Sequence, residues 1–127
     1  MSRPFPFLAI AVAMVLTACN DSGKIEVTVT ERRDDNYFQK PGCEVKLSVK
    51  NNESAELRTI EFVLTAGQGR TSAIGSSIQV SPGSQGRASA YFSDTTCAAL
   101  PSRLGIEVRR CTLADSRNCT EAVALRS

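Results

Sequence analysis

The sequence predicts an all-β domain, specifically an antiparallel two-sheet sandwich of about seven strands. Short segments of alternating apolar and polar residues recur along the chain, and clusters of Gly, Pro, Asn and Ser separate them at fairly regular spacing. After the first 18 residues, no segment repeats its apolar residues at the 3.6-residue period of a helix. Together these observations are typical of a small β-sandwich.

The first predicted strand shows the alternation clearly. Ile25, Val27 and Val29 share one face, and charged or hydroxyl-bearing residues share the other. Such a strand is buried on one side only. Later segments follow the same pattern, some more weakly, and the predicted strands are 24–30, 43–50, 57–66, 71–80, 86–92, 104–110 and 120–125.

Three connections between these strands have a distinctive composition. Residues 31–42 are charged or polar and end in Pro41-Gly42, which predicts a long loop. Residues 97–100 precede a proline and predict a single helical turn, whereas residues 112–118 predict a seven-residue loop before the last strand.

The strand pattern resembles the immunoglobulin-like and fibronectin-III-like folds. The resemblance is one of pattern alone, because the chain has no Trp for the core position common in those families and no tyrosine-corner arrangement. A small closed β-barrel built from the same strands is the alternative.

The first 19 residues resemble the signal of a bacterial lipoprotein. Arg3 supplies a positive charge, residues 7–16 form an apolar run too short to span a bilayer, and Leu16-Thr17-Ala18-Cys19 matches the lipobox. The resemblance implies that a lipid is attached to the Cys19 thiol and that the chain is cut just before it. An ordinary secretory signal or an uncleaved amino-terminal anchor is the alternative.

This signal divides the chain into a removed peptide (1–18), a lipidated Cys with a short linker (19–23) and one β-domain (24–127). Once Arg3 is removed, 14 basic residues face 13 acidic ones, which argues against nucleic acid as a partner. The lipid on Cys19 would be the membrane attachment. Asn20 follows Cys19, where enteric lipoproteins retained in the inner membrane typically have Asp, so the resemblance favours the outer membrane.

Four further cysteines predict two disulfides in an oxidising compartment. A four-thiolate zinc site is disfavoured, because no Cys-x-x-Cys pair is present. We call the end of the domain where the first strand begins the lower pole, and the end where it finishes the upper pole. Alternating strand directions place Cys43 and Cys97 at the upper pole and Cys111 and Cys119 at the lower, which predicts those two pairs. Cys111 has the parity opposite to Val108, so its bridge is expected outside the core.

The sequence offers no residue for catalysis. The chain has no His, and both Ser-x-x-Lys and the Gly-x-Ser-x-Gly elbow are absent. Asp34-Asp35-Asn36 lacks the spacing of a calcium loop, so it predicts a solvated loop. We therefore expect a protein that is not an enzyme and has no metal or cofactor.

The function expected from these features is a lipid-anchored interaction module that docks on a protein partner in the bacterial envelope. Tyr37 and Phe38, in the loop at the upper pole, are the predicted partner contacts, because aromatic residues are enriched among binding hot spots. The alternative is an inhibitor or ligand-binding protein that acts on an extracellular agent such as a cell-wall hydrolase. Asp115 or Arg117 would then be its key residue.

Overall fold

A computed structural model describes residues 23–36, 39–67 and 71–126, and these residues form an all-β fold. Seven strands are present in this part of the chain, as predicted. In chain order they are β1 (Ile25–Asp34), β2 (Gly42–Asn51), β3 (Leu57–Ala66), β4 (Thr71–Val80), β5 (Gln85–Ser93), β6 (Leu104–Leu113) and β7 (Val123–Arg126).

The strands pair into one mixed sheet in the order β6-β3-β4-β5-β2-β1-β7. All neighbours are antiparallel except β1 and β7, which run parallel, so the prediction of a purely antiparallel fold is wrong for this pair. Since β6 and β7 are the two ends of this order, the sheet is open and the barrel alternative is not supported.

The β1–β2 hairpin is longer than the sequence predicts. Val29 pairs with Leu47 and Glu31 pairs with Lys46, which leaves Thr30 as an extra residue in a β-bulge. The bulge reverses the alternation, but pairing continues as far as Asp34. The loop expected at 31–42 is therefore only the shorter connection from 35 to 41.

A second bulge, in β6, corrects the expected placement of Cys111. Phe62 pairs with Val108, but Glu61 pairs with Arg110, so Arg109 is the extra residue. The bulge turns Cys111 back to the buried side, where it pairs with Ile60 and is 1% exposed. The expectation that its bridge lies outside the core was wrong because simple alternation does not continue through a bulge.

One hydrophobic cluster collects the buried side chains of the sheet. β2 shows the strict alternation of a strand with one buried face, and Phe62 and Phe92 are among the largest fully buried side chains. The Phe62 ring lies against Gly75 of β4 so closely that a Cβ at that position would overlap it. Members of the cluster include Ile25, Val27, Val45, Leu47, Val49, Leu57, Ile60, Leu64, Val80, Ala90 and Leu113.

Two short 3-10 turns complete the described structure. Cys97–Ala99 forms the single turn predicted between β5 and β6, and Thr120–Ala122 occupies the start of the predicted last strand, which leaves a β7 of four residues. None of the described residues belongs to a helix long and apolar enough to cross a membrane.

Candidate functional site

The residues predicted to act directly on a membrane or a partner lie outside the described residues: Cys19, Tyr37 and Phe38. The structure does describe the residues on both sides of Tyr37 and Phe38, together with the strands and bonds that hold their loop. The upper pole can therefore be described from its supporting residues.

The Cys43–Cys97 disulfide is the covalent tie of the upper pole. Its Cα atoms lie 4.9 Å apart, and it joins the second residue of β2 to the 3-10 turn that follows β5. Cys43 is fully buried in the core. The bridge therefore ties residues 94–103, which connect β5 to β6, to β2, the strand that follows the 35–41 loop.

The end of β1 beyond the bulge forms hydrogen bonds with the same connection, residues 94–103. The backbone N–H of Cys97 donates to an Asp34 carboxylate oxygen at 2.7 Å. The Arg32 guanidinium donates to the carbonyl oxygens of Pro101 and Ser102 at 2.9 and 3.0 Å. These partners lie more than 60 residues apart in sequence, so local pattern gave no signal for them.

The two ends of the 35–41 loop are held by further hydrogen bonds. The Asp35 N–H donates to the Gly42 carbonyl at 2.9 Å, and the Asp94 N–H donates to Pro41 at 2.9 Å. The Tyr91 hydroxyl donates to the Asp35 carbonyl at 3.1 Å. Its ring occupies the space that a side chain at Gly42 would need, which explains glycine there. The upper pole thus presents a short loop on firmly bonded ends.

The lower pole is tied by the second predicted disulfide, Cys111–Cys119, whose Cα atoms lie 5.0 Å apart. A backbone hydrogen bond from the Cys119 N–H to the Cys111 carbonyl, 3.0 Å long, accompanies it. Because Cys119 immediately precedes the turn that leads into β7, this bridge brings one end strand of the sheet close to the start of the other.

Sequence reasoning missed the main polar residue of the lower pole, Asn51. This residue is fully buried at the end of β2. Its side-chain NH₂ donates to the carbonyl oxygens of Ala55 (3.0 Å) and Val80 (2.8 Å), and its side-chain oxygen accepts from the Glu53 N–H at 2.9 Å. The available signal was parity, because Asn51 continues the buried face of β2.

Asp115 and Arg117 bond to each other and to the domain. The Arg117 guanidinium donates to Asp115 at 2.7 Å and lies 3.7 Å from Glu53, whose side chain is 8% exposed. The hydrogen bond from Arg117 lowers the pKa of Asp115 below its ordinary value of 3.8. The pair therefore persists at neutral pH and is lost only as pH falls through that lowered pKa. Both side chains are half-exposed, and the contact of Arg117 with Glu53 ties the 114–118 loop to the rest of the domain.

Within residues 23–36, 39–67 and 71–126, no three His, Cys, Asp or Glu side chains are grouped so as to hold a metal ion.

Comparisons with protein-family models, curated proteins and solved structures each found no match to the chain.

Proposed function

We propose that the chain is a small lipid-anchored protein of the bacterial envelope and a non-catalytic interaction module that docks on a protein partner there. Leu16-Thr17-Ala18-Cys19 supports the lipid attachment at Cys19. The two disulfides indicate an oxidising compartment outside the cytoplasm. Asn20 after the anchored Cys supports the outer membrane, with the domain facing the periplasm.

The observation that carries this proposal is where the chain enters the domain. The Gly23 N–H donates to the Ala122 carbonyl at 2.9 Å, and the Asn52 N–H donates to the Lys24 carbonyl at 2.8 Å, both at the lower pole. Only residues 20–23 separate Cys19 from Lys24, and four extended residues reach at most about 14 Å. A lipid on Cys19 would therefore keep the lower pole at the bilayer.

The opposite pole then faces away from the membrane. It carries the 35–41 loop, whose ends are fixed by the Cys43–Cys97 bridge and by Tyr91. A loop on a rigid support binds with a smaller entropic cost than a free one. This supports the upper pole, with Tyr37 and Phe38, as the surface that meets the partner.

We further infer that the single sheet folds over into two layers, as in an immunoglobulin-like sandwich. β5 separates β2 from β4, so a flat sheet would place β2 and β4 about 10 Å apart. The Asn51 side chain of β2 nevertheless donates to Val80 of β4 at 2.8 Å. The described residues contain no long helix to cover the apolar face, which supports burial of one half of the sheet against the other.

Photo-crosslinking in intact cells tests the docking surface. A photoreactive residue at exposed Lys40, within the 35–41 loop, should capture a protein partner, whereas the same residue at exposed Ser116 of the lower pole should not. A double variant in which Ser replaces both Tyr37 and Phe38 should show several-fold weaker capture from Lys40, because interface aromatics supply much of the binding energy. The melting temperature should stay unchanged.

Two results would contradict the proposed surface. Equal capture of the same protein from Lys40 and Ser116 would remove the preference for the upper pole. A lowered melting temperature in the double Ser variant would assign Tyr37 and Phe38 to the core instead of the interface.

A further inference from the structure

We propose that the free edge of β6 pairs with the same edge of a second copy of this chain, in antiparallel orientation and centred on Val108. The interface depends neither on the lipid anchor nor on the 35–41 loop. Three observations support it: an open strand edge, half-buried apolar side chains along that edge, and charges that match when the strand meets a copy of itself.

The open edge is the first part of β6, residues 104–110. β6 is an end strand of the sheet, with β3 as its hydrogen-bonded neighbour. The last residues of β6 are covered on the other edge, where Thr112 bridges to Asn118. The Cys119 N–H also donates to the Cys111 carbonyl at 3.0 Å. In the part of the chain that the structure describes, the backbone of 104–110 has hydrogen bonds only with β3. Such an edge is a template for pairing with another strand.

Ile106 and Val108 supply the apolar part of this edge. Both side chains are half-buried and pack against the hydrophobic cluster. Val108 lies opposite Phe62 and Ile106 opposite Leu64, so both share the core face of the sheet. If two copies pair with Val108 opposite Val108, Ile106 of each copy is diagonal to Val108 of the other. The four side chains then form one apolar row that continues the core from one sheet to the next.

Glu107 and Arg109 flank Val108 on the solvent face. Both are exposed, and within residues 23–36, 39–67 and 71–126 neither forms an ion pair. Arg109 is the extra residue of the bulge, so it has no pairing partner on β3. In the pairing centred on Val108, Glu107 of each copy lies opposite Arg109 of the other. The interface therefore has two cross-strand pairs of opposite charge.

The charges select this register. The registers that keep the apolar faces together are centred on a single residue, because opposite residues share a face. A centre at Glu107 sets two carboxylates opposite each other, and a centre at Arg109 sets two guanidinium groups opposite each other. A centre at Ile106 sets Arg109 opposite Arg103. Charges on an exposed edge usually discourage pairing with other chains, and here they do so in every one of these registers except the one centred on Val108.

Cysteine trapping on the purified whole protein tests the pairing. Residues 106–110 of each copy form a small interface, so we expect a weak dimer that a covalent bond can trap. In Val108→Cys the two thiols lie opposite each other, on Cβ atoms about 5 Å apart. Mild oxidation should therefore give a covalent dimer on a non-reducing gel. Val123→Cys is the matched control, because Val123 is a half-buried valine on β7, the other end strand, and this variant should stay monomeric.

Charge reversal tests whether Glu107 and Arg109 meet across the interface. In the Val108→Cys background, Glu107→Arg and Arg109→Glu should each lower the initial rate of cross-linking about tenfold, because each turns two attractive pairs into two repulsive ones. An equal mixture of the two reversed variants should restore the rate, since opposite charges then face each other again. A variant that carries both reversals should restore it for the same reason. All of these variants should melt at the temperature of Val108→Cys, because both charged side chains are exposed.

Three results would overturn the inference. Cross-linking of Val108→Cys no faster than that of Val123→Cys would reflect chance collision. Reversed variants that cross-link at the full rate, or that do not recover when mixed, would show that these charges do not meet across an interface. Cross-linking of Val108→Cys in intact cells to a different protein, in place of its own copy, would assign the edge to a foreign strand.

Discussion

The Asn51→Asp variant should lose about 3 kcal/mol or more of the free energy of unfolding at neutral pH. The Asn51 NH₂ group donates to Ala55 and Val80 at 3.0 and 2.8 Å in a fully buried position. An Asp side chain has nearly the same shape, but it would set a carboxylate oxygen against these two carbonyl oxygens. Burying such an unpaired charge is costly, so the variant should unfold at much lower urea concentration.

Asn52→Asp is the control for this experiment. Asn52 is exposed, and it contributes its backbone N–H, which the substitution keeps, to the bond with Lys24. Its free energy of unfolding should change by less than about 0.5 kcal/mol. Similar urea midpoints for the two variants would mean that the Asn51 side chain does not hold the lower pole together.

Removing the Cys43–Cys97 bridge by a double substitution to Ala should cost about 4 kcal/mol of stability. The same treatment of Cys111–Cys119 should cost roughly 2 to 3 kcal/mol. In the chain-entropy model the difference follows from the loops that the bridges close in the unfolded chain, with sequence separations of 54 and 8 residues. Cys43, Cys111 and Cys119 are all buried, so truncation adds a cavity in both double variants and the ranking depends on the loop lengths.

Chemical unfolding of the two double variants under the same conditions measures both costs. A larger loss of unfolding free energy from the Cys111–Cys119 variant would contradict the expected ranking and would make that bridge the more stabilising of the two. The ranking matters for function because the Cys43–Cys97 bridge supports the end of β2 that adjoins the 35–41 loop.

The sequence predicted the number of strands because alternation and turn residues are local signals. It also predicted both disulfide pairs, because strand directions alone place each cysteine at one pole. It failed at Thr30 and Arg109, where one extra residue reverses the alternation while pairing continues. Nothing in a local pattern marks a bulge whose extra residue is an ordinary polar one.

The polar ties of the two poles could be predicted only in part. Asn51 could have been identified from its place on the buried face of β2, although its partners could not. Arg32 and Asp34 bond to a segment distant in sequence, and simple alternation places them in a loop because the bulge hides their strand. The parallel pairing of β1 with β7 could not be predicted from local pattern either, since it joins strands from opposite ends of the chain.

Metabolic labelling with a radioactive fatty acid tests the membrane anchor most directly. Wild-type protein should incorporate the label, and Cys19→Ser should remain an unlabelled precursor that retains residues 1–18, because the thiol that accepts the lipid is gone. Replacing Cys111 and Cys119 with Ser controls for the loss of thiols elsewhere and should leave labelling at the wild-type level. Acylation of Cys19→Ser at the wild-type level would contradict the anchor, and with it the placement of the lower pole at the membrane.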